Sequence, residues 1–276
     1  MRACSISGLC RLSAISRQGY YQKRADREHQ NGEQAEVLQW VKQQRQQHPR
    51  MGARKLLHEM KEQGIDADLQ IGRDRLFKLL AKNDLLIKPK KRSTRTTYSD
   101  HSLPVYRNLL MDREPTVPNQ AWVSDITYID TVEGFMYLSL ITDLYSRKIV
   151  GWNLGGSLQA SESIKALLMA IEQLPANCWP IHHSDRGSQY CCHEYVQVLN
   201  GRGLSISMTE QNHCYENAHA ERINGILKDE YYLDQCFRTK AQAIQATEQA
   251  IDLYNQKRPH CSLNLRKPSQ VHAMAA

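Results

Sequence analysis

The stretch AWVSDITYIDTVEGFMYLSLITDLYSRKIVGWNL, residues 121–154, decides the fold of this chain. It holds three segments, at 121–130, 135–143 and 146–154, that are rich in the β-branched and aromatic residues typical of strands. A turn at Glu133-Gly134 separates the first two segments, and the second connection is equally short. Three strands joined in this way predict an antiparallel meander.

After this meander the sequence alternates between helical and strand patterns. The segment 161–174 predicts a helix with Ser161 as its N-cap. Its apolar residues share one face, namely Ile164, Leu167, Leu168, Ile171 and Leu174. The remaining predicted elements are a strand at 179–185, a helix at 192–203, a strand at 204–208 and a long helix at about 217–233. This order predicts an α/β fold with a mixed five-stranded sheet, as in ribonuclease-H-like nucleases and integrases.

The N-terminal third of the chain shows helical patterns instead. Three short helices are predicted at 33–47, 53–64 and 72–85, and the third carries several basic residues on its outer face. This all-α arrangement predicts a helix-turn-helix domain whose third helix contacts DNA. A generic three-helix bundle with solvated lysines is the alternative interpretation.

Charge is distributed unevenly along the chain. Residues 1–99 contain 21 lysines and arginines against 10 acidic residues, a net charge of +11, whereas residues 100–276 contain 15 against 19, a net charge of −4. Five of the eight residues from Lys88 to Arg95 are basic, and this segment has no periodicity. A basic N-terminal part and linker favour binding to phosphate groups, with plain solubility and an inert tether as the alternatives.

These patterns predict five segments. They are a helical lead-in at 1–30, a helix-turn-helix DNA-binding domain at 31–87, a basic linker at 88–117, a ribonuclease-H-like catalytic core at 118–235 and a C-terminal helical extension at 236–276. The extension contains one further predicted helix, at 240–256.

Three carboxylates occupy related positions in the predicted core. Asp125 lies inside the first strand, where an aspartate is disfavoured and is costly to bury without a positive partner. Asp185 ends the fourth strand, which lies beside the first strand in this topology. Glu221 lies on the long helix, on a stripe that it shares with Asn224 and Lys228. The three acids are therefore predicted to converge.

Converging carboxylates indicate a metal site. Like charges this close repel one another unless cations lie among them, and oxygen ligands suit Mg²⁺ or Mn²⁺. Two such ions about 3.5–4 Å apart stabilise the entering and leaving oxygens of a phosphodiester displacement. We therefore predict that Asp125, Asp185 and Glu221 are both catalytic residues and metal ligands, with two Mg²⁺ (or Mn²⁺) ions per active site.

Structural ion pairs are the alternative for each single acid. Asp185 could pair with Arg186, and Glu221 could pair with Arg222. Asp143 also ends a strand and competes for the role of ligand. An ion pair with Arg147, four residues further on, is the preferred interpretation of Asp143.

Five spaced motifs carry a family resemblance. They are WVSDITYI (122–129), TDLYSRKIVGW (142–152), HSDRGSQY (183–190), NHCYENAHAERINGILKDE (212–230) and YNQKRPHCSLNLRKPS (254–269). With them, nearly the whole chain resembles the second-frame product (OrfB) of bacterial insertion sequences in the family numbered three. The catalytic part of that family is a DDE core like that of retroviral integrases.

The resemblance implies an activity and partners. It implies a DDE transposase that uses Asp125, Asp185 and Glu221 as its catalytic triad. Water and then a DNA 3′-hydroxyl would attack a phosphodiester, without a covalent protein intermediate. The implied partners are double-stranded DNA, as terminal inverted repeats and as target, and the upstream-frame product (OrfA), by fusion or association. We expect a homo-oligomer on DNA, a dimer or higher.

Ten residues are predicted to contact DNA. The helices contribute Arg54, Arg73, Arg75 and Lys78, the linker contributes Lys90, Lys91 and Arg92, the resemblance adds Asn217 and Lys228, and the last is Arg258. For Arg258, a packed C-terminal cap in which Pro259 ends the helix is an equally good interpretation.

Composition bounds the cellular location and leaves two rival functions. The chain has no run of about 18 apolar residues, so no membrane span is predicted. Its eight cysteines form no CxxC pair, which favours reduced, core-filling thiols. These features favour a cytoplasmic protein, and the family resemblance implies a bacterial, nucleoid-associated one. The rival functions are a catalytically silent DNA-binding regulator and a structure-selective nuclease on the same fold.

Overall fold

The chain folds into two compact units, which are described separately below. The computed structural model describes residues 5–65, 71–88, 103–111, 113–210 and 217–274. The first unit contains the residues up to Gln47 together with Met51–Ile87, and the second contains His48–Arg50 together with the chain from Lys88 onward. Within the described ranges, no helix is both long and apolar enough to cross a bilayer.

The N-terminal unit is built from helices. Its described elements are α1 (Ile6–Leu12), α2 (Arg17–Gln47), α3 (Ala53–Glu62) and α4 (Arg73–Lys82). Apolar residues from α2, α3 and α4 form one core, in which Val41, Leu56, Met60 and Leu80 are fully buried. The all-α prediction for this part of the chain is confirmed.

Helix α2 is longer than the sequence pattern indicates. A helix was predicted from residue 33 and a boundary between residues 30 and 31, but one continuous helix begins at Arg17. Its first half is polar and mostly exposed, so hydrophobic periodicity gives no sign of it. Residues of good helix propensity and an i,i+4 ion pair between Arg24 and Glu28 (2.9 Å) stabilise it instead.

The second unit contains a five-stranded mixed sheet in the order β3-β2-β1-β4-β5. The strands are β1 (Ala121–Ile129), β2 (Met136–Asp143), β3 (Ile149–Gly155), β4 (Ile181–Ser184) and β5 (Ser205–Met208). The first three strands form the antiparallel meander, while β4 runs parallel to β1 and β5 runs parallel to β4. The predicted ribonuclease-H-like fold is confirmed.

Helices cover both faces of this sheet. The elements are α5 (Ala160–Glu172), α6 (Ser188–Cys191), α7 (His193–Gly201), α8 (Ala218–Glu230), α9 (Lys240–Gln256), a 3₁₀ turn (Cys261–Leu263) and α10 (Pro268–Ala273). Helices α5, α6 and α7 share a core with Trp122 and Ile141, whereas α8 and α9 share a core with Ile129 and Leu138. The predicted C-terminal extension thus contributes α9 to the hydrophobic core that α8 shares with β1 and β2.

The contact between β3 and α5 is especially close. A Cβ atom placed on Gly151 would lie 2.2 Å from the carbonyl oxygen of Ala166 and 2.9 Å from Cβ of Ala170.

Leu167 and Ile171 of α5 are buried as predicted, but Leu168 is 42% exposed. The prediction for Leu168 was wrong because the buried face of α5 is narrower than its apolar stripe.

The described cysteines are free thiols. Of these, Cys10 and Cys191 are buried, whereas Cys236 and Cys261 are exposed. The prediction of core-filling thiols therefore holds for the first pair and fails for the second.

Candidate active site

Asp125 lies in the middle of β1 on the face that packs against α8. Its Oδ2 accepts a hydrogen bond from Nδ2 of Asn224 on α8 (2.8 Å), and its Oδ1 accepts one from the backbone N–H of Ile126 (2.9 Å). Both carboxylate oxygens are therefore held, one by the strand and one by the helix.

Asp185 follows the last residue of β4. Because β4 runs parallel to β1 with Val123 opposite His183, Asp185 stands level with Asp125 on the neighbouring strand. Its Oδ1 accepts a hydrogen bond from the backbone N–H of Gly187 (2.9 Å). Gly187 is buried, and a Cβ atom there would lie 3.0 Å from that same oxygen.

Glu221 lies in the first turn of α8, and its side chain is exposed. Two asparagines attach this helix to β1. Asn217, at the N-cap position, donates from Nδ2 to the carbonyl oxygen of Ser124 (3.1 Å), and Asn224 donates to Asp125. Helix α8 therefore crosses β1 at Asp125, as its predicted stripe requires.

The electrostatics of Asp125 connect the three acids. Burial, the negative charge of Asp185 and, as the smallest contribution, the negative charge of Glu221 raise the pKa of Asp125 to about 7. The hydrogen bonds from Asn224 and Ile126 lower this pKa, but they do not compensate. All three carboxylates are thus close enough for their charges to interact.

Charge interaction is not the same as ligation of one ion. Among the residues that the structure describes, no three His, Cys, Asp or Glu side chains lie close enough together to hold a metal ion. The predicted metal cluster is therefore not formed by the side chains as they stand. The donor types do fit Mg²⁺ or Mn²⁺, and a cation would relieve the repulsion that raises the pKa of Asp125. Glu221 is exposed at the first turn of α8.

Lys228 and Asn224 complete the surroundings of Asp125. Burial lowers the pKa of Lys228, while the negative charges of Asp234 and Asp125 act in the opposite direction. The sequence placed Asn224 on the same stripe as Glu221, but its hydrogen bond to Asp125 was not predicted. The available signal was its position, three residues after Glu221 and four before Lys228.

A buried polar network, which was not predicted from the sequence, lies on the opposite face of β1. Nε2 of His182 is 2.7 Å from Oγ of Ser124 and 2.9 Å from the hydroxyl of Tyr195. Burial lowers the pKa of His182 to about 3, so this imidazole is neutral. The network joins β4, β1 and α7 directly behind the strand segment that carries Asp125.

The predicted DNA contacts of the N-terminal unit are all exposed. Arg73 pairs with Asp74 (2.9 Å) and Arg75 with Glu33 (3.0 Å), whereas Arg54 and Lys78 make no ion pair within the described part of the chain. A cavity of about 370 Å³ lies here, lined by Gln34, Arg75, Lys78, Leu79 and Lys82. Lys90, Lys91 and Arg92 lie outside the described residues.

Two other residues that were predicted to contact DNA are buried in this structure. Asn217 is 2% exposed, because it connects α8 to the backbone of β1. Arg258 is 3% exposed, because it donates from Nε and Nη2 to the carboxylate of Glu230 (2.8 Å each) and lies 5.6 Å from the ring centre of Tyr254. These contacts favour the packed-cap interpretation of Arg258 over the phosphate contact.

The role of Arg258 can be tested by a substitution that keeps its charge. Arg258→Lys should lower the free energy of unfolding by about 1–2 kcal/mol, because a lysine cannot make the two parallel hydrogen bonds to Glu230. Affinity for duplex DNA should stay within about twofold of the wild type, since the buried guanidinium does not reach a ligand. Urea unfolding and fluorescence anisotropy measure the two quantities. A loss of DNA affinity without a loss of stability would contradict this role.

Asp143 is structural, as preferred, but its predicted partner is wrong. Its Oδ2 accepts from the backbone N–H of Asn119 (2.7 Å), and its Oδ1 accepts from the N–H (2.7 Å) and hydroxyl (2.6 Å) of Ser146. Arg147 adopts a left-handed backbone conformation (φ 62°), and its Nη1 donates to Nδ1 of His219 (3.0 Å). The turn after β2 therefore satisfies Asp143 without the arginine.

Comparison with known proteins defines the class of this protein, the nucleotidyl-transfer enzymes with a DDE-type integrase core. Two family models described as "Integrase core domain" match residues 115–214 and 202–268. The chain is 37% identical to an insertion element IS600 31 kDa protein from Shigella sonnei, over 97% of this chain and 100% of that one. It is 33% identical to the transposase InsF for insertion sequence IS3A from Escherichia coli K12, over 82% of this chain and 79% of that one.

A solved structure, the HTLV-2 integrase catalytic core domain in complex with magnesium, matches 58% of this chain and 99% of that chain, with 21% identity and a TM-score of 0.46. On the strength of its sequence relatives, the chain belongs to the family of IS3-type insertion-sequence transposases. Its function is DNA transposition, and neither the silent regulator nor the structure-selective nuclease is favoured.

Proposed function

We propose that this transposase cleaves DNA at the ends of its insertion sequence and joins the freed ends to target DNA, with Asp125, Asp185 and Glu221 as its catalytic carboxylates. The observation that carries this proposal is the Asn224–Asp125 hydrogen bond, because it fixes α8 over β1 beside Asp185. The raised pKa of Asp125 supports it, since two further carboxylates cause part of the shift.

The proposed chemistry is an in-line displacement at phosphorus. In the first step a water oxygen bonds to phosphorus, and the P–O bond to the 3′ oxygen breaks. In the second step that 3′-hydroxyl attacks a target phosphodiester, and the bond to the target's own 3′ oxygen breaks. When bound, Mg²⁺ or Mn²⁺ ions, two per site in our proposal, supply positive charge to the entering and leaving oxygens.

The chain's own residues orient this site. Asn224 and the N–H of Ile126 hold the carboxylate of Asp125 in one orientation. The N–H of Gly187 does the same for Asp185, which restricts its carboxylate at the end of β4. Lys228 lies near enough to Asp125 for their charges to interact, and we propose that its ammonium group contacts a DNA phosphate beside the site.

We propose that the N-terminal unit positions the DNA. The exposed residues Arg54, Arg73, Arg75 and Lys78 would contact phosphates or bases, with segment 88–117 as the linker to the catalytic core at 118–235. In this proposal Lys78 binds more tightly than Arg73 or Arg75, because both arginines must first leave an acidic partner.

We propose that the working assembly is a homo-oligomer, a dimer or higher, on DNA. An insertion sequence has two ends, and each end needs a carboxylate site of its own if both are processed together. The upstream-frame product (OrfA) would join by fusion or by association. This role is proposed from the family resemblance.

Metal binding should release protons, and this tests the role of Asp125. With a pKa of about 7, Asp125 is about half protonated at pH 7, and a cation can bind only the ionised form. Binding of Mg²⁺ or Mn²⁺ should therefore release about half a proton at pH 7, nearly a whole one at pH 6 and very little at pH 8. The apparent metal affinity should rise with pH up to about 7 and then level off.

Isothermal titration calorimetry in two buffers of different ionisation enthalpy measures this release. Asp125→Asn should abolish it, and Asp252→Asn, an exposed acid on α9, should leave it unchanged. Clear metal binding whose heat does not depend on the buffer at pH 6 would exclude Asp125 as a ligand.

A further inference from the structure

A cavity of about 430 Å³ opens beside β1, and its lining does not include Asp125, Asp185 or Glu221. Its described lining includes three arginines and one acid, namely Arg113, Arg147, Arg266 and Glu114. Apolar side chains line much of the remainder, among them Leu110, Val123, Leu144, Leu263 and Val271. The cavity therefore combines an apolar surface with an excess of positive charge.

The arginines of this cavity are poorly neutralised. Arg113 and Arg266 are exposed, and neither makes an ion pair with a residue that the structure describes. Arg266 donates to the carbonyl oxygen of Leu263 (3.3 Å), a neutral acceptor. Glu114 acts on Arg147 through its charge but makes no ion pair with it. Arg266 also donates from Nη1 to Sδ of Met274 (3.8 Å), another neutral acceptor, so the charges of Arg113 and Arg266 are not neutralised by an ion pair within the described ranges.

Arg147 connects this cavity to the candidate active site. Its left-handed backbone conformation favours glycine or asparagine, so an arginine there costs about 1 kcal/mol that its side chain must recover elsewhere. That side chain is half-buried and donates to Nδ1 of His219 (3.0 Å). His219 lies on α8, two residues before Glu221.

The distance to Asp125 suits a neighbouring nucleotide. Val123 lines the cavity and lies on the same face of β1 as Asp125, two residues earlier. Two residues of a strand span roughly 7 Å, and successive phosphates of one DNA strand are separated by about the same distance, because the backbone winds around an axis along which each nucleotide rises about 3.4 Å. The cavity is therefore about one nucleotide away from a phosphodiester at Asp125.

We propose that the cavity lined by Arg113, Arg147 and Arg266 binds a phosphodiester of the DNA strand, about one nucleotide from the one that reacts. The proposal rests on the proposed function, since the carboxylate site sets the position of the DNA. Guanidinium groups suit a phosphate because their N–H donors match two of its oxygens at once. An acidic segment of a second copy is the competing occupant, but the proximity of the catalytic helix favours DNA.

The salt dependence of DNA binding tests this proposal without any catalysis. The full chain is titrated onto a fluorescein-labelled duplex in EDTA, across a range of salt concentrations. Arg113→Gln and Arg266→Gln should each reduce the steepness of the fall of log affinity with log salt by about 0.7–0.9. This is the change expected for the loss of one phosphate contact. Arg202→Gln, which removes an exposed arginine at the end of α7, is the matched control and should leave the slope unchanged.

Methylphosphonate substitution gives the position of the contact. A neutral linkage about one nucleotide from the cleavage point should weaken wild-type binding several-fold. The same linkage should not weaken the binding of Arg147→Gln any further. Thermal unfolding shows whether each variant is folded. If Arg147→Gln is unstable, the methylphosphonate comparison is made with Arg113→Gln and Arg266→Gln instead.

Three results would overturn the proposal. The first is slopes for Arg113→Gln and Arg266→Gln that equal the slope for Arg202→Gln. The second is an equal loss from every methylphosphonate in wild type and variants. The third is that Arg113→Gln and Arg266→Gln sediment differently from the wild type while the salt dependence of DNA binding is unchanged. This result would identify a second copy of the chain as the occupant. Failure of the proposed function is a separate result, because it would show as no cleavage by the wild type with Mg²⁺ or Mn²⁺.

Discussion

Asp185→Asn should reduce DNA cleavage and strand joining by at least about 10³-fold, while binding to the terminal repeats stays within about twofold of the wild type. An asparagine has nearly the same shape and keeps an oxygen for the N–H of Gly187, so the turn after β4 should survive. It lacks the negative charge that a divalent cation needs. Gel assays with purified end duplexes in Mg²⁺ and Mn²⁺ measure cleavage and joining, and anisotropy measures binding.

The matched control for this substitution is Asp252→Asn. Asp252 is an exposed acid on α9, so the net charge changes equally in both variants. It should keep wild-type cleavage and joining. An Asp185→Asn protein that cleaves at the wild-type rate in Mg²⁺ would remove Asp185 from the catalytic set.

Gly151→Ala should lower the free energy of unfolding of the catalytic unit by about 3 kcal/mol, the largest stability effect that we expect. A methyl group at this position would lie 2.2 Å from the carbonyl oxygen of Ala166 and 3.0 Å from the backbone N of Ala170. Both atoms belong to the main chain of α5, so the whole helix must move away from β3. Urea unfolding monitored by tryptophan fluorescence measures the change, because Trp152 and Trp122 report on the two faces of this sheet.

Two other glycines on the same segment provide comparisons. Gly156→Ala should be nearly neutral, since no atom lies within 4 Å of its Cβ position. At Gly155 the added methyl would meet the carboxylate end of Glu162, which can rotate away, so a smaller loss is expected. A Gly151→Ala protein as stable as Gly156→Ala would mean that α5 adjusts its position at little cost.

The sheet was predictable because local chemistry and the global fold agree there. Residues 121–154 combine strand-forming residues with short turns, and the pairing of β1, β2 and β3 follows directly. The polar half of α2 was not predictable in this way, because a helix without an apolar face leaves no periodic signal. Its stability comes from propensity and an ion pair between neighbouring turns.

The candidate site was predictable only in its charged members. A buried aspartate inside a strand is unfavourable, and this is the signal that singled out Asp125. The partners of each acid were not predictable, because they depend on side-chain direction at the ends of elements. Asp143 illustrates this, since Ser146 and Asn119 satisfy it and the left-handed turn directs Arg147 to His219.

Arg258 shows a further limit of sequence reasoning. A basic residue beside a proline at the end of a helix is compatible with a surface contact or with a buried ion pair. The choice depends on Glu230, which lies 28 residues earlier in the chain. Only the fold brings the two side chains together.

Successive side chains of β1 point to opposite faces of the sheet, so the number of residues in the strand decides which face Asp125 occupies. Asp125 faces the α8 side of the sheet, while its neighbours Ser124 and Ile126 face the side of α5 and α7. Deleting or inserting one residue between positions 121 and 124 would exchange the two faces, so the acid would meet the apolar core and a serine would meet the DNA. Substitutions between positions 121 and 124 should therefore be tolerated in evolution more readily than insertions or deletions there, because only a change in the number of residues moves Asp125 to the other face of the sheet.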